Sequence, residues 1–386
     1  MPKPQSGKSD NFQTGKIMVL SVCHFIHDIY ASFLAPLLPL LIEKLSLSLT
    51  QAGFLSSVMQ IPALLNPFIG ILADRISVRY FIILAPSLTA IPMSLIGVAP
   101  SYGILLILLF ITGISVAVFH VPSPVMISRL SGSKKGQGMS FYMTGGELAR
   151  AVGPLAAVGA VSLLGLEGFY PIMIFGLIAS LWLFFKFREA PIKVDQDRKL
   201  SVLQTWRELQ HILLPLTAIL LARGFMHASL VFFLPTFIEQ ETGNLWLAGM
   251  ALTVFEISGV AGVFAAGPIS DRLGRRRILM ISLLGAPVCL LLFAGFGGWV
   301  RFLTLMFIGV TLLSTTPVML ALVQEHAQSS PSAANGFFMM ASFIARSAIV
   351  VLVGFIADLI GLRATYFFSA VMGLLALPFV LMLPKK

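Results

Sequence analysis

The sequence predicts an all-α integral membrane protein, with twelve transmembrane helices in two six-helix bundles related by a parallel pseudo-repeat. Composition is the first reason: 57% of the 386 residues are hydrophobic and 11% charged, where a soluble domain carries about 25% charged residues. Spacing is the second. Apolar runs of membrane length recur along the whole chain, with basic residues gathered in the gaps, and a helix needs about 20 such residues to cross the hydrocarbon layer. One run could be the core helix of a soluble protein; twelve in succession could not. The third reason is an internal echo. Gly70, Asp74, Arg75 and Arg79 return as Gly267, Asp271, Arg272 and Arg276, each 197 positions on. An offset of 196 carries Pro39, Ile42 and Glu43 onto Pro235, Ile238 and Glu239, and Ala52-Gly53 onto Ala248-Gly249. The same offset carries Arg150 onto Arg346, and Leu163, Gly165 and Leu166 onto Leu359, Gly361 and Leu362.

The spans expected from hydropathy are, in order, span 1 (17–41), span 2 (51–73), span 3 (79–99), span 4 (103–127), span 5 (138–165) and span 6 (169–187). After a polar stretch come span 7 (211–238), span 8 (246–269), span 9 (277–297), span 10 (301–325), span 11 (334–357) and span 12 (364–383). Basic residues in the gaps set the orientation. With the N-terminus in the cytoplasm, 20 Lys and Arg fall on the inner side and 3 on the outer (Lys44, Arg301 and Arg363), leaving Arg150, Arg223 and Arg346 within the membrane. Both termini are therefore expected in the cytoplasm, in a cell inner membrane. The net charge of +10 follows from this distribution, so no nucleic-acid partner is expected. Cys23 and Cys289 both lie in apolar runs and read as small buried hydrophobes; no disulfide framework, metal site or cofactor is expected. The first apolar run is too long for the core of a cleavable signal peptide.

The domain division expected is 1–187 for the N-terminal bundle, 188–210 for a cytoplasmic linker and 211–386 for the C-terminal bundle. The linker has mixed charge and Pro191, and a short amphipathic helix is expected from about Leu200.

The pattern Gly-x-x-x-Asp-Arg-x-Gly-x-Arg between spans 2 and 3, and again between spans 8 and 9, resembles the loop motif of the major facilitator superfamily. The second copy has Gly274 where the first has Ser77. The resemblance implies a transporter, by default a monomer, that works by alternating access. Its physical content is legible. Gly70 and Gly267 let helices approach closely, and Asp74 and Asp271 are expected near the N-termini of spans 11 and 5, where a helix dipole favours an anion. Arg75, Arg79, Arg129, Arg272 and Arg276 would complete a latch that breaks when the inner side opens. His24, His27 and Asp28 in span 1, Val118-Phe119-His120 in span 4, and Gly145-Gly146 through Gly153-Pro154 in span 5 resemble the fosmidomycin-resistance branch, which implies efflux in exchange for protons.

An ionisable group in mid-bilayer costs a few kcal/mol, so each one needs a reason. Asp28, Glu147 and Glu256 are the acids placed there, with His24 and His27 flanking Asp28. Asp28 is the first candidate to carry a coupling proton, with Glu147 and Glu256 as alternatives; a fixed ion pair is the structural reading. Glu147 and Arg150 stand i, i+3 and can pair, as can Arg223 and His227 at i, i+4. Arg150, Arg223 and Arg346 are candidates to bind a carboxylate or phosphonate through the guanidinium fork, with His120 and His227 beside them; neutralising Glu147 and Glu256 is the alternative use. Pro122, Pro124 and Pro317 are expected to bend spans 4 and 10. No Walker-type phosphate loop is present, and His24, His27 and Asp28 have no second cluster in sequence to make an enzyme centre. The expected partners are a small-molecule substrate, protons and the lipid bilayer. The sequence supports proton-coupled export of a small anion first and proton-coupled import second.

Overall fold

The structure, a computed structural model, describes residues 12–66, 69, 79–132, 135–188, 202–326 and 331–384. Among these the chain is helical and has no strand.

Span 1 is Thr14–Ala31 followed by Leu34–Leu45, and span 7 is Val202–Val231 followed by Leu234–Thr242, so the first helix of each half breaks partway. Span 2 begins as Leu49–Gln60 and tightens into a 3-10 turn at Ile61–Leu65. Its start is fixed by a capping box, in which Ser48 and Gln51 satisfy one another's backbone N–H. Spans 3 and 6 are Arg79–Leu95 and Ile174–Phe187. Span 4 is Tyr102–His120, broken at Val121–Pro122 before Ser123–Leu130. Span 5 is Lys135–Leu164 and span 8 Leu245–Leu273. Spans 9 and 10 are Arg275–Gly295 and Trp299–His326. Spans 11 and 12 share one helical run, Pro331–Leu374, interrupted at Gly361, whose φ of 80° is a left-handed turn that a side chain would resist.

Span 4, with Pro122 and Pro124 close together, breaks there, whereas span 10 runs as a continuous helix through Pro317. The helix expected from about Leu200 is present from Val202 and runs unbroken into span 7. The rest of the polar connection lies outside the described residues.

The apolar interior shows how the halves meet. One large core joins residues of both, from Leu37, Leu55 and Leu109 to Phe233, Phe255 and Val353. All of these sit toward the end of the bundle away from the chain termini. Toward the termini the core splits in two. Ile17, Ile83, Phe119 and Leu183 belong to the N-terminal half alone, and Ile219, Leu283, Val323 and Val380 to the C-terminal half alone. Among the described residues the apolar core is therefore continuous between the halves at the far end and divided between them at the termini end. Large apolar side chains such as Phe175, Phe185, Ile281 and Val371 stand exposed on the outer helices. A soluble protein would cover a belt of this kind; here the lipid does.

Candidate functional site

Span 1 carries the most crowded polar cluster. Asp28, His24 and His27 are buried, and span 4 brings His120 to them. His27 Nδ1 donates to Asp28 Oδ1 at 2.8 Å; His24 Nε2 lies 3.1 Å from Asp28 Oδ2, and His120 Nε2 lies 3.4 Å from Asp28 Oδ1. The rings are held flat against aromatic neighbours. His24 stacks on Tyr142 at 4.0 Å between centroids, and His27 on Phe119 at 4.4 Å. The Gly145-Gly146 pair of span 5 makes room for this. A Cβ on Gly146 would lie 2.6 Å from His24 Cε1 and 3.1 Å from Asp28 Oδ2, closer than packed atoms tolerate.

A second group of charges lines the space between the halves. Arg150 and Glu147 form the i, i+3 ion pair on span 5, with half of the Arg150 side chain exposed. Arg346, from the middle of span 11, is exposed, lies over the Phe343 ring and stands within electrostatic range of Arg150 and Glu256. Glu256 on span 8 is buried, in range of Arg150, Glu147 and Arg346, and has no hydrogen bond among the described residues. Arg223 is also buried, but it does not pair with His227. Its Nη1 donates to the Thr315 and Thr316 hydroxyls of span 10 at 2.6 and 3.0 Å. His227 lies in electrostatic range of Arg223, Arg346 and Arg150.

The far end is sealed by contacts between the halves. Gly53 of span 2 packs so closely on span 11 that a Cβ there would lie 2.6 Å from the Val350 carbonyl oxygen, and its echo Gly249 presses on Val158 of span 5. Ser57 donates to the Ser347 carbonyl at 2.6 Å. Asp358, in the last turn of span 11, accepts from Leu49 N at 2.7 Å, Thr50 N at 2.8 Å and the Thr50 hydroxyl at 2.5 Å. A carboxylate of one half thus caps a helix N-terminus of the other, where the helix dipole favours it. Sequence reasoning missed Asp358. The available signal was an acid at a helix end whose repeat counterpart is Ser162. At the same end, the three basic residues that ran against the charge bias are all paired. Lys44 meets Glu167 at 2.6 Å, and Arg301 and Arg363 share Glu241 at 2.9 and 2.6 Å. The hydrogen bond from Lys44 holds the Glu167 carboxyl below its usual range. Partial burial opposes ionisation of Glu241, but the hydrogen bonds from Arg363 and Arg301 outweigh it and hold that carboxyl low as well.

At the termini end, Gly70, Asp74 and Arg75 lie outside the described residues. In the second copy of the motif, Gly267 lies within span 8, and Gly274 adopts a φ of 94° that separates spans 8 and 9. Asp271 pairs with Arg275, which also reaches Glu325 at 3.0 Å on span 10, so the described contacts of Asp271 stay within its own half. Arg276 donates to the Leu383 carbonyl at 3.5 Å, Arg79 lies over the Tyr80 ring, and Arg129 and Arg272 are exposed.

The family model described as Major Facilitator Superfamily matches residues 20–350 and 243–386. The chain is 24% identical over 371 residues to the fosmidomycin resistance protein of Escherichia coli (strain K12), covering 94% of this chain and 91% of that one. It is 26% identical over 382 residues to the uncharacterized MFS-type transporter YfnC of Bacillus subtilis (strain 168), covering 93% and 91%. Its fold matches the crystal structure of a bacterial homologue of the human lysosomal transporter Spinster, in an inward-facing and occupied conformation. The TM-score is 0.82 at 16% identity, with 97% of each chain covered. With twelve spans in two halves, intramembrane charges gathered between them, and a family match along nearly the whole chain, this multi-pass membrane transporter belongs to the major facilitator superfamily.

Proposed function

We propose that the protein exports a small anionic organic compound from the cell in exchange for protons, as a monomer in the inner membrane with both termini in the cytoplasm. On that orientation we read the structure as inward-facing, because the contacts of Gly53, Ser57 and Asp358 between the halves fall on the outer side. The observation that carries the substrate class is Arg223. It is a buried cation whose hydrogen bonds among the described residues go to hydroxyls, and Arg346 stands in electrostatic range of it. A buried charge is retained when something pairs with it, and a carboxylate or phosphonate arriving between the halves would do so through the guanidinium fork. Resemblance to a drug-resistance protein favours export.

For coupling, geometry favours Glu256 over Asp28. Asp28 is surrounded by three imidazoles. Glu256 is a buried carboxyl in electrostatic range of Arg150 and Glu147 of the opposite half and of Arg346 of its own half. Rocking the halves changes its distance to Arg150 and Glu147, so the proton is held in one state and released in the other. The latch motif acts at the cytoplasmic end: in the outward-facing state Asp271 would leave its present partners and reach the start of span 5, and Asp74 the start of span 11.

The test is proton movement in proteoliposomes loaded with a pH-sensitive dye, driven by gradients of candidate carboxylates and phosphonates. Wild type should move protons against substrate, while Glu256→Gln should exchange labelled substrate without moving protons. Proton flow in the same direction as substrate would replace export with import. Normal coupling in Glu256→Gln together with loss in Asp28→Asn would transfer the role to Asp28.

A further inference from the structure

The four-residue cluster of the N-terminal half has a feature that proton coupling at Glu256 does not use. His24 Nδ1 lies 2.8 Å from the Tyr142 carbonyl, and His120 Nδ1 lies 3.0 Å from the Val116 carbonyl. A carbonyl only accepts, so each Nδ1 carries its hydrogen and donates it. In the neutral rings this leaves both Nε2 atoms as bare lone pairs, and they converge at 3.3 Å beside the carboxylate of Asp28. Two lone pairs and an anion facing one another call for a proton or a metal ion among them. The spacing fits one ion. Nitrogen ligands at about 2.0–2.1 Å around a tetrahedral zinc ion stand about 3.3 Å apart. The Asp28 carboxylate flanks both nitrogens, with Oδ2 at 3.1 Å from His24 and Oδ1 at 3.4 Å from His120, so one oxygen can complete the set. The ligating atoms of His24, Asp28 and His120 all lie within 4.8 Å of one another.

The surroundings match what metal ligands require. Both imidazoles are oriented by Nδ1–H bonds to backbone carbonyls, and the carboxylate by His27 at 2.8 Å; such outer partners fix ligand orientation and tautomer. Tyr142 stacks on the His24 ring and Phe119 on that of His27. His24 and Asp28 are buried, while 37% of the His120 side chain is exposed, so one direction of approach remains open. We propose that His24, Asp28 and His120 form a binding site for a divalent transition-metal ion of the zinc type, with one coordination position open to solvent. Two imidazoles and one carboxylate are a donor set for such an ion and a poor one for magnesium or calcium, which favour oxygen. The assignment is independent of the substrate and of transport direction.

The experiment is metal binding to tag-free, chelator-treated protein in detergent. Zn²⁺ would be titrated calorimetrically, and Co²⁺ by its visible ligand-field absorption. Wild type should take up one equivalent of each, with an intense Co²⁺ band typical of four- or five-coordination. His120→Gln, on the more exposed edge of the cluster, should weaken both titrations at least tenfold while leaving the thermal melt of the metal-free protein unchanged. His24→Gln and Asp28→Asn should do the same where they fold. The control is the other histidine pair, His211 and His326, whose rings lie 6.4 Å apart near the chain-termini end; His326→Gln should leave both titrations as they are. Absence of one-equivalent binding in wild type would overturn the assignment. So would binding that survives His120→Gln, or binding lost in His326→Gln. No transport is read, so failure here leaves the export reading standing and failure of that reading leaves this one.

Discussion

Asp358→Asn tests the account of how the end of the bundle away from the chain termini is held shut. The carboxylate accepts on both oxygens, from Leu49 N on one and from Thr50 N and its hydroxyl on the other. Asparagine keeps the shape but offers one carbonyl oxygen, and turns an NH₂ toward the remaining N–H. Charge-assisted hydrogen bonds are worth about 1.5–3 kcal/mol when well shielded, and a carboxylate at a helix N-terminus about 0.3–1 kcal/mol. Asp358 is exposed, so water and salt screen the interaction. A net loss of about 1–2 kcal/mol is expected, near the cost of removing a good helix cap. The contact joins the two halves and exists only while the far end is closed, so the whole loss falls on this state. The closed-to-open ratio at that end should fall about 5- to 30-fold, taking 1.4 kcal/mol per tenfold. Leu163 and Trp299 stand 84% and 75% exposed at that end of opposite halves. Spin labels at Leu163→Cys and Trp299→Cys would report the separation by electron-electron resonance, and the long-distance population should grow in Asp358→Asn. Equal distance distributions in wild type and variant would refute the reasoning, because a cap across an interface cannot be lost without cost to the closed interface.

Arg223→Lys keeps the charge but loses the fork, and should weaken binding of an anionic substrate about 10- to 100-fold, read as a rise in the concentration needed for half-maximal transport; an unchanged value would remove Arg223 from the binding site. Gly146→Ala forces a methyl group against His24 and Asp28 and should lower stability by about 1–3 kcal/mol, seen as a fall in the melting temperature of the detergent-solubilised protein. Glu241→Gln breaks the bridge to Arg301 and Arg363 and should lower that temperature at neutral pH. The Glu241 carboxyl is held below its ordinary value of 4.5, so its stabilisation is present above that pH and lost as the pH falls through the folded value. The gap between wild type and Glu241→Gln should therefore narrow below about pH 4.5, and a gap that widens there would contradict the assignment.

What could be read without coordinates was whatever depends on distance along one helix or on the echo between halves. The Glu147–Arg150 pair follows from i, i+3 spacing, and Gly53 and Gly249 stood out as repeated small residues before the structure placed both at contacts between the halves. What could not be read depends on how each helix is rotated about its axis. His120 joins a cluster 96 positions away, Arg223 turns to Thr315, 92 positions on, and Asp358 caps Leu49 across 309. Arg223 and His227 satisfied the spacing rule for a pair, yet the hydroxyls of span 10 won the guanidinium. Hydropathy reports that a face is apolar; it does not report which neighbouring helix supplies the polar exception.

The repeat accounts for the division of chemistry between the halves. At the offset of 196, His27 corresponds to Arg223 and His120 to Thr316. Both pairs meet: the two imidazoles lie 5.5 Å apart between centroids, and Arg223 bonds to Thr316 at 3.0 Å. The same pairing of the first and fourth helices has been kept, while its occupants have diverged. In the N-terminal half the pair sits beside Asp28, and His120 converges its Nε2 on that of His24, an arrangement that suits a cation. In the C-terminal half it is a buried guanidinium with hydroxyl partners, an arrangement that draws an anion. Gln60 likewise corresponds to Glu256, whereas Arg150 and Arg346 are the same residue in both halves. On the export reading proposed above, Glu256 is the position where this asymmetry carries the proton, so Glu256→Gln, which restores the symmetry with Gln60, should leave a folded bundle that still moves the anion but no longer links it to proton movement in proteoliposomes.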